Sequence, residues 1–142
     1  MKRKVYITVL SVLSLLMTAV FSGCMEKAFP NDDLDFYWRL QTIEYASGKT
    51  EQVKGDVMFG FARHMVLIED LSNNFSRHGV TTDTGDSLKL DFSMYPASET
   101  DAILEGLGKC GMDSLVTTFK VDYPKDRLVL TSGKATLRFK KW

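Results

Sequence analysis

The chain has 142 residues, 18 basic and 18 acidic side chains, 44% hydrophobic residues and two cysteines. That length fits one domain and not two. Its balanced charge, with no cationic cluster interleaved with aromatics except "LRFKKW" at the end, argues against a nucleic-acid partner.

Lys2, Arg3 and Lys4 precede an apolar run from Val5 to Phe21, broken only by Thr8, Ser11, Ser14 and Thr18. A basic start followed by an apolar stretch of this length is the pattern of a secretory signal. A transmembrane helix needs roughly 17–25 mostly apolar residues, and the run sits at the short edge of that range. The residues after it decide between the two. Phe21-Ser22-Gly23-Cys24 resembles the lipobox of bacterial lipoproteins, in which small residues precede a cysteine that becomes the lipidated first residue of the mature chain. Phe21 stands where an aliphatic residue is usual. The resemblance implies a signal peptide over 1–23, lipidation of Cys24 and a polar tether over 24–33. It also implies a membrane partner reached through acyl chains, and residence in the bacterial envelope at the outer membrane. Two or more acyl chains, at roughly 0.8 kcal/mol per buried methylene, anchor stably where one does not.

Without the signal, 119 residues remain, with 15 basic against 18 acidic side chains. Lipidation of Cys24 leaves Cys110 alone, so no intrachain disulfide forms. "LGKCGMD" offers it no neighbouring histidine, which makes it a structural cysteine.

From residue 34 the sequence reads as short strands separated by turn signals. "LDFYWRLQTIEY" (34–45) ends in a turn around Gly48. "DVMFGFARHMVLIEDL" (56–71) is apolar on both faces, and Gly60 predicts a bulge or bend in one long strand. "NFSRHGVTTD" (74–83) is more polar. "SLKLDFSMY" (87–95) alternates with Leu88, Leu90, Phe92 and Met94 on one face, the period of a half-buried strand. "SETDAILEGLGKCG" (98–111) predicts a short helix with Ser98 or Thr100 as N-cap and Gly108 or Gly111 closing it. Three strands follow, over 114–123, 126–132 and 134–142. Seven or eight strands and one helix before the last three predict an all-β fold, a sandwich or a small antiparallel barrel.

Three features resemble the small lipocalin-like (calycin-like) lipoproteins of Bacteroidetes-type bacteria, many of them domains of unknown function. The opening strand carries "FYWRLQTIEY" before a glycine turn. The end reads "DSLVTTFKVDYPKDRLVLTSGKATLRFKKW", with a terminal Leu-x-Phe strand. The third feature is the lipid anchor. Phe36 stands where lipocalins carry a glycine two residues before the tryptophan, and the terminal helix of lipocalins is missing. The resemblance covers 34–142 and implies a barrel of about eight strands.

In such a barrel Phe36, Trp38 and Leu40 share the inner face. They meet Leu90, Phe92, Met94, Leu115, Phe119, Leu137 and Phe139, as the lining of a ligand pocket or as a filled core. The resemblance also implies a cation–π cover of Trp38 by a basic residue of the last strand, for which Arg138 is the candidate; an ordinary outward-facing arginine is the other reading. His64 and His78 lack metal-ligand spacing, and Asp32, Asp33 and Asp35 lack a calcium loop, so neither a metal nor a cofactor is expected. Asp86-Ser87-Leu88 and Asp113-Ser114-Leu115 resemble the O-glycosylation sequon of these bacteria, and Asp-Ser is equally good turn chemistry.

No nucleophile elbow, phosphate-cradling loop or carboxylate pair appears, so an enzyme is the least supported class. Two others stand ahead of it. The leading one is a lipid-anchored barrel that binds a small apolar ligand in or at the mouth of the barrel. The other is a filled barrel that acts as a structural or interaction module, or as an inhibitor, through its outer surface on another envelope protein.

Overall fold

Among the described residues, period-two alternation of apolar and polar residues builds nine strands, and one helix with its apolar residues on a single face stands before the last three of them. The computed structural model describes residues 34–142; the expected signal peptide (1–23), Cys24 and the tether (24–33) lie outside the described residues. The strands are β1 (Tyr37–Tyr45), β2 (Thr50–Gln52), β3 (Val57–Ala62), β4 (Met65–Asp70), β5 (Phe75–Asp83) and β6 (Ser87–Asp91). A 3₁₀ turn at Ala97–Glu99 leads into α1 (Thr100–Lys109). Then come β7 (Val116–Asp122), β8 (Arg127–Thr131) and β9 (Ala135–Lys141).

Every neighbouring pair is antiparallel, and β1 pairs with β9 from Trp38↔Lys141 to Tyr45↔Ala135, which closes the sheet. On its other edge β1 meets β3 over Tyr37–Arg39 and the short β2 over Thr42–Glu44. The ring is therefore an eight-strand barrel of β1 and β3 through β9, with β2 as an appendage. Closure removes the exposed edges that would invite pairing with other chains.

The 56–71 segment departs from the single bulged strand predicted for it. Arg63 adopts a left-handed φ of 55°, and a tight turn at Arg63-His64 folds the segment into the β3–β4 hairpin. The turn changes the alternation, so Phe59 and Phe61 point inward while Met65 and Leu67 point outward. The β3–β4 register runs unbroken through Gly60↔Leu67. The irregularity is elsewhere, in β1, where Leu40 pairs with Phe139 and Thr42 with Arg138, leaving Gln41 as the extra residue. That slip turns Ile43 into the core after Trp38 and Leu40.

The helix forms where expected, capped differently. Glu99 is the N-cap and makes no side-chain cap hydrogen bond. Gly111, at φ 85°, takes the left-handed position after Cys110 that stops the helix. Ile103 and Leu107 share its buried face and close the barrel end formed by the C-terminus of β1 and the N-terminus of β9. Among the described residues, no helix is long and apolar enough to cross a membrane.

Candidate functional site

The barrel interior is the first place to look for a site, and it is occupied by side chains. Leu40, Phe59, Leu88, Leu90, Phe92, Phe119, Leu137 and Phe139 are each at most 1% exposed. A water-sized sphere touches essentially none of them, so no void of that size borders these residues. Eight strands enclose just enough room for side chains or one small ligand, and four phenylalanines take that room. Phe59 and Phe139 meet edge to face, with centroids 4.9 Å apart and planes at 64°.

Both ends are shut. At the helix end, α1 lays Ile103 and Leu107 over the core, and Gly106 lets its backbone approach the Phe75 ring. At the opposite end the chain enters through Leu34, which is buried against the core. Trp38 stands beside it, its indole N–H donating to the Leu34 carbonyl at 3.1 Å. That bond satisfies the one polar group a buried indole carries.

Of the residues expected on the inner face, Trp38, Leu40, Leu90, Phe92, Phe119, Leu137 and Phe139 are buried together, and Leu115 is half-buried against them. Phe36 and Met94 are not among them. Phe36 is 50% exposed because it precedes β1, in a bend whose geometry does not continue the strand alternation. Leu34 fills the inner position instead. Met94 is 61% exposed because β6 ends at Asp91. The Asp91 carboxylate accepts from the Ser93 N–H (2.9 Å) and hydroxyl (2.6 Å) and folds the chain into a turn. Those bonds also hold the Asp91 carboxyl below its ordinary range.

Arg138 does not cover Trp38. It projects from the outer face, where its guanidinium donates to Glu44 Oε1 (2.9 Å) and Oε2 (3.3 Å), while the Trp38 indole is inside. The sheet separates them. This forked pair lowers the Glu44 carboxyl and raises the Arg138 guanidinium. Cations do lie over other rings: Lys141 Nζ is 3.8 Å above Phe36, and the Arg39 guanidinium is 5.6 Å from Trp142.

Cys110 is fully buried under α1, and its thiol is pushed up to about 12, by burial first and by nearby Asp70 second. Asp70 is buried yet satisfied, accepting from the Asn73 backbone N–H and side-chain amide. His64 and His78 are exposed, and Tyr95 Oη bridges the His78 N–H and carbonyl at 3.0 Å each. Ser114 is exposed, with its hydroxyl donating to the Val116 carbonyl at 2.7 Å; Ser87 is half-buried at the start of β6.

Several clefts lie on the outside, among them one of about 280 Å³ beside Tyr45 and Met112 and one of about 230 Å³ beside Trp38 and Arg127. A polar one of about 540 Å³ runs beside α1 and includes Tyr45, Glu51, Lys54, Asn73, Glu105 and Lys109. An apolar groove of about 390 Å³ lies on the outer face of β1, β3 and β4, among Phe36, Tyr37, Gly60, Met65 and Leu67. The Tyr37 ring lies across Gly60, where a Cβ would stand 2.6 Å from Tyr37 Cε1. Sequence reading missed this groove because it had put Phe36 inside and had not seen the Arg63-His64 turn that sends Met65 and Leu67 out.

No curated protein matches the chain. Two solved structures share its fold. One is a lipocalin-like protein from Bacteroides uniformis, 24% identical, with a TM-score of 0.61, covering 78% of this chain and 99% of that one. The other is an uncharacterized protein from Bacteroides eggerthii, 20% identical, with a TM-score of 0.55, covering 78% of this chain and 100% of that one. The family model for the lipocalin-like domain matches residues 19–142, and with a closed eight-strand antiparallel barrel beneath that match, the chain belongs to the lipocalin-like domain family.

Proposed function

We propose that this is a non-enzymatic lipoprotein of the bacterial envelope, anchored through acyl chains on Cys24. Its barrel works as a filled interaction module, presenting its outer surface to another envelope component. The observation that carries the reading is the interior: eight large apolar side chains at 1% exposure or less leave no surface for a ligand to touch. What such a barrel offers a partner is outside, in the polar cleft beside α1 and in the apolar groove. Ser87 and Ser114, each following an aspartate at the start of a strand or strand approach, are the proposed O-glycosylation positions.

Membership of a lipocalin-like family favours a second reading, in which a small apolar ligand is bound. Here α1 is the element that would have to move. Its buried face rests on the core through Ile103 and Leu107, and a ligand would have to displace that contact.

Labelled palmitate and envelope fractionation test the anchor. The wild-type chain takes up label and stays with the outer membrane, and Cys24→Ser loses both; label retained by Cys24→Ser overturns the anchor. Titration with a fluorescent fatty acid tests the filled interior. No saturable uptake is expected, and stoichiometric uptake favours the ligand reading.

A further inference from the structure

The large exposed apolar side chains are not spread evenly. Phe36, Tyr37, Met65, Val80 and Trp142 lie toward the end of the barrel at which the described chain begins, whereas Leu71, Met94 and Val116 lie at the helix end. The first group is connected. Phe36 and Tyr37 are adjacent, the Trp142 N–H donates to the Tyr37 carbonyl at 3.0 Å, and Met65 pairs with Val80. Phe36, Tyr37 and Met65 also line one groove. Two cations flank them, Lys141 over Phe36 and Arg63, whose backbone N–H donates to Asp35, and Arg39, ion-paired with Asp56, lies beside Trp142.

Aromatic rings mixed with lysine and arginine at one level are the composition that settles at the boundary between headgroups and acyl chains. Scattered exposed apolar residues need no explanation, whereas a contiguous set does. The position of this set supplies one. Phe36 comes three residues after the end of the 24–33 tether. Ten residues cannot reach beyond about 35 Å even when fully extended, which bounds how far this end lies from the anchor. The tether joins the barrel at this end, so the end that carries the patch is the one nearest the acyl chains.

We propose that the Phe36–Tyr37–Met65–Trp142 surface docks on the membrane that carries the protein's own acyl chains, so that the barrel stands with α1 and its polar cleft pointing away. The inference rests on the anchor reading above. The acyl chains hold the protein at the bilayer, and the patch sets its orientation. The partner-facing surface is then the helix end.

The protein holds its own reporter, because its two tryptophans differ: Trp38 is 3% exposed and Trp142 is 71% exposed. The full lipidated chain is reconstituted into phosphatidylethanolamine–phosphatidylglycerol vesicles, with and without bromine on the acyl chains. The Trp142 contribution is taken as the difference from Trp142→Phe. Docking predicts at least a twofold loss of Trp142 emission in brominated vesicles. It also predicts recovery of most of that loss in a Phe36→Ser/Met65→Ser variant, whose changes are both at exposed positions. Complete flotation with the vesicles and unquenched Trp142 overturns the docking and leaves the anchor standing. Failure of the wild-type chain to float overturns the anchor, and the docking with it. Shielding of Trp142 by a co-purified envelope protein, without quenching by brominated lipid, also overturns the docking.

Discussion

The Phe75 ring at the start of β5 lies against the backbone of Gly106 in α1, so close that a Cβ on residue 106 would overlap ring carbons Cδ2, Cε2 and Cγ. This contact seats the helix on the barrel. In an open helix, Gly→Ala gains up to about 1 kcal/mol of propensity. Here the added methyl has nowhere to go, and overpacking costs about 1–3 kcal/mol. The clash wins. Gly106→Ala is expected to lower the thermal midpoint, and a raised midpoint would show that α1 rides loosely on the core.

Gly60 gives the opposite case. A Cβ there would also meet a ring, that of Tyr37, at 2.6 Å, but Tyr37 is half-exposed on the outer face and can swing aside. Gly60→Ala is expected to change stability by less than about 1 kcal/mol, since only the far end of a surface side chain must move. Urea unfolding of the two alanine variants side by side separates a rigid contact from a yielding one.

Phe139 and Phe36 test the two sides of the barrel wall. Phe139 is 1% exposed and packs edge to face on Phe59, so Phe139→Ala should cost about 3–5 kcal/mol. Against a total stability of about 5–15 kcal/mol for a domain, that loss endangers folding. Phe36→Ala should cost no more than about 0.5 kcal/mol. Equal costs in denaturant titrations would mean that Phe36 belongs to the core after all.

Cys110 predicts an alkaline loss of stability. Its thiol ionises near the ordinary value of 9.0 when unfolded and near 12 when folded. The stabilisation is therefore fully present below pH 9. Above it the unfolded chain releases a proton that the folded chain keeps, and stability falls by about 1.4 kcal/mol per pH unit as pH rises toward 12. Cys110→Ala should flatten that part of the profile relative to wild type. The native thiol should also resist alkylation at pH 8 and react on unfolding, and fast native labelling would contradict its burial.

The sequence carried the barrel of about eight strands, the helix, the closing glycine and most of the core, because these follow from alternation and turn chemistry; it showed neither β2 nor the division of 56–71 into β3 and β4. Leu90, Phe92, Phe119 and Phe139 sit on the inner face that their spacing predicts. Alternation failed where a strand ended or slipped out of phase. Phe36 lies one residue before β1, Met94 three residues after β6, and the Arg63-His64 turn reverses which residues of 56–71 face in. The Gln41 bulge was equally hidden, since nothing in "RLQTIEY" distinguishes an extra residue from a paired one. Likeness to lipocalin barrels put Arg138 over Trp38 as one of two readings, the other being an ordinary outward-facing arginine. The period of β9, which puts Leu137 and Phe139 inside, favours the outward position that it occupies.

Whether the barrel is filled in the cell as it is in the structure is the central claim, and native mass spectrometry of the full chain with the acyl groups proposed for it, purified from the cells that make it, tests it most directly. The account predicts the mass of the acylated chain alone, unchanged after incubation with fatty acids. A reproducible small apolar adduct in one-to-one ratio, lost when Phe92 or Phe139 is replaced by a polar residue in a variant that still folds, would contradict it and move the functional site back inside the barrel.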